Sequence, residues 1–155
     1  PIEKESDQYP MTLSTVREVG HYSVRTMTGN CRTLRNLEDE PGWVQMNTGD
    51  CKRLGLKKGE LVKILSKRGY CITRCLPTGR VTPGATYMTY QWWVGACNQL
   101  TIAQLHPVSN TPEYKYCACR VEKIEDQEWA ERHVQELYED IRTQMGIDTG
   151  KGAKA

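Results

Sequence analysis

The sequence contains no phenylalanine, although it has 8 tyrosines and 4 tryptophans among its 155 residues. The aromatic volume of the core must therefore come from side chains that carry a polar group. No apolar run approaches the ~18 to 20 residues that a membrane-spanning helix needs, and the first residues lack the apolar core of a signal peptide. With 21 basic and 19 acidic residues, no charge excess indicates nucleic-acid binding. We expect a soluble domain with no nucleic-acid partner and no membrane insertion.

None of the seven cysteines forms a Cys-x-x-Cys pair, so the spacings typical of zinc ribbons and redox motifs are missing. Cys71 with Cys75, and Cys117 with Cys119, have the even spacing that places side chains on one face of a strand. Two such pairs are compatible with a metal site, but buried reduced thiols acting as small apolar side chains are favoured. An odd, scattered set is typical of a reducing compartment, so we expect a cytoplasmic protein with no metal ligand in this chain.

Alternating apolar residues and turn signals predict about six strands. These strands span residues 9–15, 43–47, 60–67, 69–76, 85–90 and 116–122. A short helix is expected over 31–40, and a second one begins at an N-cap at Thr48 and ends at Gly55. Apolar residues at helical spacing predict a longer helix over 126–146. This set of elements is typical of a compact closed barrel, a mainly β fold that leaves no sheet edge exposed.

The length of the chain predicts one folded domain. The two ends of the sequence are polar. We expect a flexible N-terminal segment over 1–8, the β-barrel over 9–125, the C-terminal helix over 126–146 and a disordered tail over 147–155. The chain begins with proline rather than methionine, from which we expect a segment of a longer protein.

Polar groups crowd the stretch from Ser14 to Asn30, directly behind the first predicted strand. It holds Arg17, His21 and Arg25 within nine residues, together with several hydroxyls and a glycine at position 20. Forked cations and backbone N–H groups of this kind suit phosphate or a polar heterocycle. A solvated surface loop is the alternative, because charge clusters often only face water.

Three ordered motifs resemble the C-terminal molybdopterin-dinucleotide-binding domain of molybdenum or tungsten formate dehydrogenases. The first is Thr-x-Arg-Glu-x-Gly-His-Tyr, ending at Tyr22 and followed by Met-Thr-Gly-Asn. The second runs from Tyr90 through Gln-Trp-Trp to Asn98, and the third from Pro107 to Lys115 before Cys-Ala-Cys-Arg. The pattern over 47–62 is similar to the double-psi β-barrel of these domains. Agreement over residues 9–125 makes this resemblance specific.

The resemblance implies that a molybdopterin guanine dinucleotide binds to these three segments. Arg17 and Lys115 would contact its phosphates or pterin oxygens, and Glu18 and Asn98 the N–H edges of the pterin. The cofactor-binding residues that the resemblance implies are Arg17, Glu18, Val19, Gly20, His21, Tyr22, Ser23, Tyr90, Asn98, Tyr114 and Lys115. Structural packing in the barrel rim is the alternative for the tyrosines at 90 and 114, and a core or inter-domain contact is favoured for Trp92 and Trp93.

Family members hold the metal through cysteine or selenocysteine, and a four-iron four-sulfur cluster through an N-terminal cysteine motif that this sequence lacks. The resemblance therefore implies no catalytic residue here, an inactive isolated domain and a cluster elsewhere in the polypeptide. For the whole enzyme it implies oxidation of formate to carbon dioxide at a bis-molybdopterin guanine dinucleotide centre. Partners would be the other domains of the catalytic subunit and electron-transfer or hydrogenase subunits. The alternatives are another molybdopterin oxidoreductase, such as a nitrate reductase, and a non-catalytic double-psi binding module.

Overall fold

The computed structural model describes residues 3–35 and 40–146. Within these ranges the strands are β1 (Met11–Val16), β2 (Trp43–Asn47), β3 (Leu61–Ser66), β4 (Gly69–Thr78), β5 (Ala85–Thr89) and β6 (Cys117–Lys123). The α-helices are α1 (Arg32–Arg35), α2 (Thr48–Arg53) and α3 (Gln127–Gln144), and short 3₁₀ turns cover Thr28–Asn30 and Cys97–Gln99. None of the helices in this part of the chain combines the length and apolar character needed to span a bilayer.

The six strands close into a barrel in the order β1, β5, β2, β4, β3, β6. β1 is parallel to β5 and β2 is parallel to β4, whereas the other four neighbouring pairs are antiparallel. Each strand therefore pairs on both sides and none leaves an open edge. The predicted six-stranded, mainly β barrel of the double-psi kind is confirmed.

The barrel interior is filled by aliphatic side chains, methionines and thiols. In β1, buried Met11 and Leu13 alternate with half-buried Thr12 and Ser14, which is the period of a strand with one face in the core. Fully buried aliphatic side chains of this kind each stabilise the fold by roughly 1.5 to 3 kcal/mol. The largest of the fully buried side chains is Trp92, which takes up volume that phenylalanine supplies in many cores.

Helix α3 covers the outer wall of the barrel. Its buried residues Ala130 and Val134 pack against Leu61, Ile72 and Val94 in a second apolar cluster. The helix begins after Asp126, whose carboxylate accepts a hydrogen bond from Trp129 N at 2.8 Å. Residue 94 belongs to the segment that follows β5, so this helix supports one of the predicted cofactor loops.

Two local predictions need correction or restriction. The N-cap of α2 is Asn47 rather than Thr48, because the Asn47 backbone is still extended and its Oδ1 accepts a hydrogen bond from Gly49 N at 2.8 Å. The predicted end of that helix is confirmed, since Gly55 follows it with a φ of +66°. Of the short helix expected over 31–40, the structure shows Arg32–Arg35, and residues 36–39 lie outside the described ranges.

The N-terminal segment contacts the barrel. Glu3 is buried, and its carboxylate accepts hydrogen bonds from Arg68 Nη2 at 2.8 Å and from Ala118 N at 3.2 Å. The hydroxyl of Tyr116 donates to Glu5 Oε1 at 2.9 Å. These contacts attach Glu3 and Glu5 to the barrel, and the flexibility expected over residues 1–8 stays a prediction. Residues 1–2 and the tail expected over 147–155 lie outside the described ranges.

Candidate functional site

The parallel pairing of β1 with β5 places the first two predicted cofactor segments side by side. Val16 and Thr89, the last residues of these strands, are partners in the register. Arg17 and Tyr90 follow directly, and the guanidinium carbon of Arg17 lies 6.0 Å from the centre of the Tyr90 ring. The carboxyl ends of β1 and β5 thus form one rim, on which Arg17 is exposed to solvent.

The third segment is fastened to the same rim. Ser14 Oγ donates to the carbonyl of Lys115 at 2.7 Å, and Thr15 Oγ1 donates to the carbonyl of Tyr114 at 2.9 Å. In return, Lys115 Nζ donates to the carbonyl of Thr15 at 3.1 Å. Residues about 100 positions apart therefore meet, and the structure brings together Arg17, Tyr90, Tyr114 and Lys115.

Val19, Gly20, Tyr22 and Ser23 form the outward part of the first loop. The side chain of Val19 is 98% exposed and that of Tyr22 is 67% exposed. Gly20 has a φ of +108° and open space where a Cβ would lie, and Ser23 has a φ of +49°. This part of the loop presents backbone groups and a phenol to solvent.

Two predicted site residues face into the protein instead. His21 is buried, with Nδ1 3.0 Å from Thr28 Oγ1 and its ring edge-on to Trp92 at 5.7 Å between ring centres. The carboxylate of Glu18 accepts a hydrogen bond from Trp92 Nε1 at 3.0 Å. At least one oxygen of Glu18 therefore holds the loop against the core.

Asn98 lies in a turn that contacts β5. It is exposed within the 3₁₀ turn Cys97–Gln99, and the buried thiol of Cys97 lies 3.7 Å from the carbonyl of Met88 in β5. On the other side of this turn, Arg68 Nε donates to the carbonyl of Leu100 at 2.7 Å. These contacts fix the turn that carries Asn98, and Asn98 itself is exposed to solvent.

A residue that the sequence analysis did not single out, Gln91, joins the first two loops. Its side chain is 1% exposed, and its Oε1 accepts from Glu18 N at 2.7 Å while its Nε2 donates to the carbonyls of Glu18, at 3.2 Å, and of His21. Gln91 thus satisfies three backbone groups of the first loop. A glutamine following a predicted strand carries no local signal for such a role.

Gln91 is itself held by a buried ion pair that was also missed. Arg25 Nε donates to the carbonyl of Gln91 at 2.8 Å, and Arg25 Nη2 forms an ion pair with Glu40. The guanidinium stacks over Trp92 at 4.4 Å and Trp93 at 5.1 Å from the ring centres. Burial lowers the pKa of Arg25, and the carboxylate of Glu40 compensates its charge.

All seven cysteines are free thiols, and six of them are buried. Burial raises the pKa of Cys117 to about 11 and that of Cys119 to about 12, so these thiols stay protonated and behave as apolar side chains. Within the described ranges, no group of three or more His, Cys, Asp or Glu side chains converges as a metal ion would require. The second of the two interpretations of the cysteine spacing, buried reduced thiols, fits these positions.

The rim, together with the exposed turn that carries Asn98, offers the donors that a dinucleotide demands. Arg17 and Lys115 carry positive charge, Asn98 carries a carboxamide, and Tyr90 and Tyr114 carry phenols and ring faces. An anionic diphosphate is bound best by cations and N–H donors, and a heterocycle with amide edges by directional hydrogen-bonding groups. The residues present therefore fit a pterin dinucleotide.

Comparison with known proteins identifies the class. The model of the molydopterin dinucleotide binding domain family matches residues 11–118, and the chain belongs to this family. It is similar to formate dehydrogenase H of Escherichia coli K12, with 56% identity over 145 residues, which cover 94% of this chain and 20% of that protein. It is also 41% identical over 118 residues to the F420-dependent formate dehydrogenase 2 subunit alpha of Methanococcus maripaludis, covering 76% of this chain and 17% of that protein.

The chain spans about a fifth of the length of the curated relatives it matches. A likeness to acetylene hydratase from Pelobacter acetylenicus, with a TM-score of 0.63 over 75% of this chain and 18% of that one, supports the barrel fold. Its sequence identity is 17%, so it concerns the fold alone. The formate dehydrogenase relatives favour that enzyme over the two alternatives, another molybdopterin oxidoreductase and a non-catalytic module.

Proposed function

We propose that this domain binds the molybdopterin guanine dinucleotide of a formate dehydrogenase at the rim formed by β1 and β5. The observation that carries the proposal is the meeting of Arg17, Tyr90 and Lys115 at one rim, in a chain 56% identical to a formate dehydrogenase. The proposal extends to the whole enzyme, which oxidises formate to carbon dioxide with loss of two electrons and one proton.

The exposed cations would hold the anionic part of the cofactor. Arg17 makes charge-assisted hydrogen bonds to phosphate or pterin oxygens, and Lys115 adds a point charge on the opposite side of β1. Asn98 and the backbone of Val19, Gly20 and Ser23 supply directional donors and acceptors, and Tyr22 supplies its exposed phenol. Tyr90 and Tyr114 supply ring surface and hydroxyls, while Glu18 and His21 fix the loop from inside.

When bound, the cofactor supplies a molybdenum or tungsten centre that accepts the two electrons from formate. The residues of this domain bind and orient it, and we assign none of them a catalytic role. A four-iron four-sulfur cluster would lie in another part of the polypeptide and pass the electrons on. Partners would be the remaining domains of the catalytic subunit and electron-transfer or hydrogenase subunits. Six buried free thiols fit a reducing compartment, and we place the enzyme in the cytoplasm.

The cofactor content of the enzyme that carries this domain tests the proposal. After purification without oxygen, acid hydrolysis of the protein in air should release guanosine monophosphate and a pterin that air oxidises to a fluorescent form, together with molybdenum or tungsten. Formate should reduce an artificial dye in its presence. A protein that releases no guanine nucleotide contradicts the assignment of the dinucleotide form.

The 155-residue chain by itself should not oxidise formate, because the metal ligand and the cluster ligands that the family uses are missing from it. Formate-dependent dye reduction by this chain would show that the division of roles proposed here is incorrect.

A further inference from the structure

One buried amide determines how the first cofactor loop leaves β1. Gln91 lies directly after Tyr90, which faces Arg17 across the rim. Its amide group accepts from the N–H of Glu18 and donates to the carbonyls of Glu18 and His21. Because β1 ends at Val16, these three backbone groups have no hydrogen-bond partner in a neighbouring strand. Without Gln91 they would need water as a partner. The side chain therefore takes the place of a neighbouring strand for residues 18–21.

We propose that Gln91 is a positioning residue for the cofactor, acting through the backbone of residues 18–21 without contacting the dinucleotide itself. This inference rests on the proposed function, because it concerns the same site. It adds that cofactor affinity depends on a buried amide outside the set of exposed, directly binding side chains.

The physical reason is preorganisation. The outer part of the loop is exposed at Val19 and Tyr22, so few of its own side chains hold it in one conformation. Ordering a residue on binding costs about 1 to 2 kcal/mol of backbone entropy, and a loop ordered in advance avoids that cost. Gln91 can do this because it is itself immobile, at 1% exposure.

The Arg25 and Glu40 pair explains why Gln91 is fixed. Arg25 Nε donates to the carbonyl of Gln91 at 2.8 Å. Glu40 is paired with Arg25 and also accepts from Val94 N at 3.1 Å and from Trp93 N at 3.4 Å. Residues 91–94 are thereby held from both ends, and a buried charge pair of this kind is costly to rearrange.

The decisive variant is Gln91→Leu in the enzyme that carries this domain, with Gln45→Leu as its matched control. Gln45 is a half-buried glutamine on β2, outside the two loops. We expect Gln91→Leu to lower pterin content on the order of tenfold, the size that follows from losing one or two net hydrogen bonds. Gln45→Leu should keep its pterin content within about twofold.

Amide hydrogen exchange separates positioning from direct contact. Measured by mass spectrometry on cofactor-free protein, Gln91→Leu should speed exchange in the peptide covering residues 17–22, and leave exchange in β3 and β4 unchanged. Arg17→Ala, which removes a proposed direct contact, should lower pterin content without speeding exchange in that peptide. A Gln91→Leu enzyme with full pterin content, or with unchanged exchange over residues 17–22, overturns the inference.

A second variant, Gln91→Glu, tests the inference even if Gln91→Leu does not fold. It has the size of glutamine and keeps an acceptor for Glu18 N, but its carboxylate cannot donate to the two carbonyls, so it should hold less pterin than the wild type at pH 7.5 and regain content as falling pH protonates the buried carboxyl group, which can then donate. Equal retention by the wild type and Gln91→Glu at pH 7.5 would count against Gln91. If the wild type itself releases no pterin, the proposed function fails, and the exchange data still decide whether Gln91 orders the loop.

Discussion

The indole ring of Trp92 lies directly against Gly42. A Cβ placed on Gly42 would come within 2.1 Å of Cδ1 and Nε1 of that ring, and Gly42 has a φ of +79°. The same indole nitrogen donates to Glu18, so the packing at residue 42 affects the loop that follows β1. Because Gly42 has no side chain, the indole ring of Trp92, the largest fully buried side chain, can pack directly against its backbone.

Gly42→Ala should therefore destabilise the domain by about 2 to 4 kcal/mol, because it combines overpacking against a buried ring with an unfavourable positive φ. Urea unfolding followed by tryptophan fluorescence measures this change. Gly79→Ala is the control, since a Cβ at residue 79 would meet nothing within 4 Å. Equal stability of the two variants would show that Trp92 can move aside without cost.

Arg17→Ala should lower the cofactor content of the enzyme that carries this domain. The loss of charge-assisted hydrogen bonds corresponds to roughly 1.5 to 3 kcal/mol of binding free energy per contact. Metal analysis and pterin fluorescence, both normalised to protein, measure it. Arg80→Ala, at an exposed arginine in the turn after β4, is the matched control. Unchanged metal and pterin in Arg17→Ala would remove this residue from the site.

The buried thiols should make stability fall at alkaline pH. Burial raises the pKa of Cys119 to about 12, whereas a thiol in the unfolded chain ionises near pH 8.5. The stabilising contribution is complete below about pH 8.5 and is lost as pH rises toward 12, because only the unfolded state releases the proton in that window. Each such thiol lowers the free energy of unfolding by up to about 1.4 kcal/mol per pH unit.

Replacing one thiol isolates its share of this pH dependence. In urea unfolding from pH 8 to 10.5 with a reductant present, Cys119→Ala should show a shallower decline than the wild type, by about one proton. Cys31→Ala, at the exposed cysteine, serves as control for the substitution itself. Parallel declines in the wild type and Cys119→Ala would mean that Cys119 ionises alike in the folded and unfolded states.

Gln127→Ala should weaken the attachment of α3 to the barrel. Its Oε1 accepts from Leu61 N at 2.7 Å, and its Nε2 donates to the carbonyls of Leu61 at 2.9 Å and Ile124 at 2.7 Å. Leaving these half-buried backbone groups unsatisfied should cost about 1 to 3 kcal/mol of unfolding free energy. Gln135→Ala, whose side chain contacts Glu139 on the exposed face of the same helix, should cost less than about 0.5 kcal/mol.

The local patterns of the sequence determined the elements of this fold. Trp43–Asn47 is a strand with the predicted bounds, and the strand before the first loop is displaced by no more than two residues at its start. Strand alternation, turn glycines and helical periodicity act between residues close in the chain, so they can be recognised without knowing the tertiary structure. The resemblance of three motifs to one family likewise indicated the rim segments, which the barrel places together.

What only the tertiary structure decided is how these segments are held. The assignment of Glu18 and His21 as inward-facing depends on Trp92 and Thr28, and the buried position of Glu3 depends on Arg68 and β6. None of these contacts has a periodicity or a turn signature. They arise when the barrel closes and brings distant residues within hydrogen-bonding distance.

Gln91 shows most clearly why such contacts cannot be predicted from local sequence patterns. Its amide can reach Glu18 and His21, about 70 positions away, only because β1 and β5 are parallel neighbours with Val16 opposite Thr89. A one-residue change of that register would turn each side chain to the opposite face of the sheet and break the contact. The sequence thus determined which polar groups the loop carries, whereas the register of the closed barrel decided which of them face outward and which hold the loop from within.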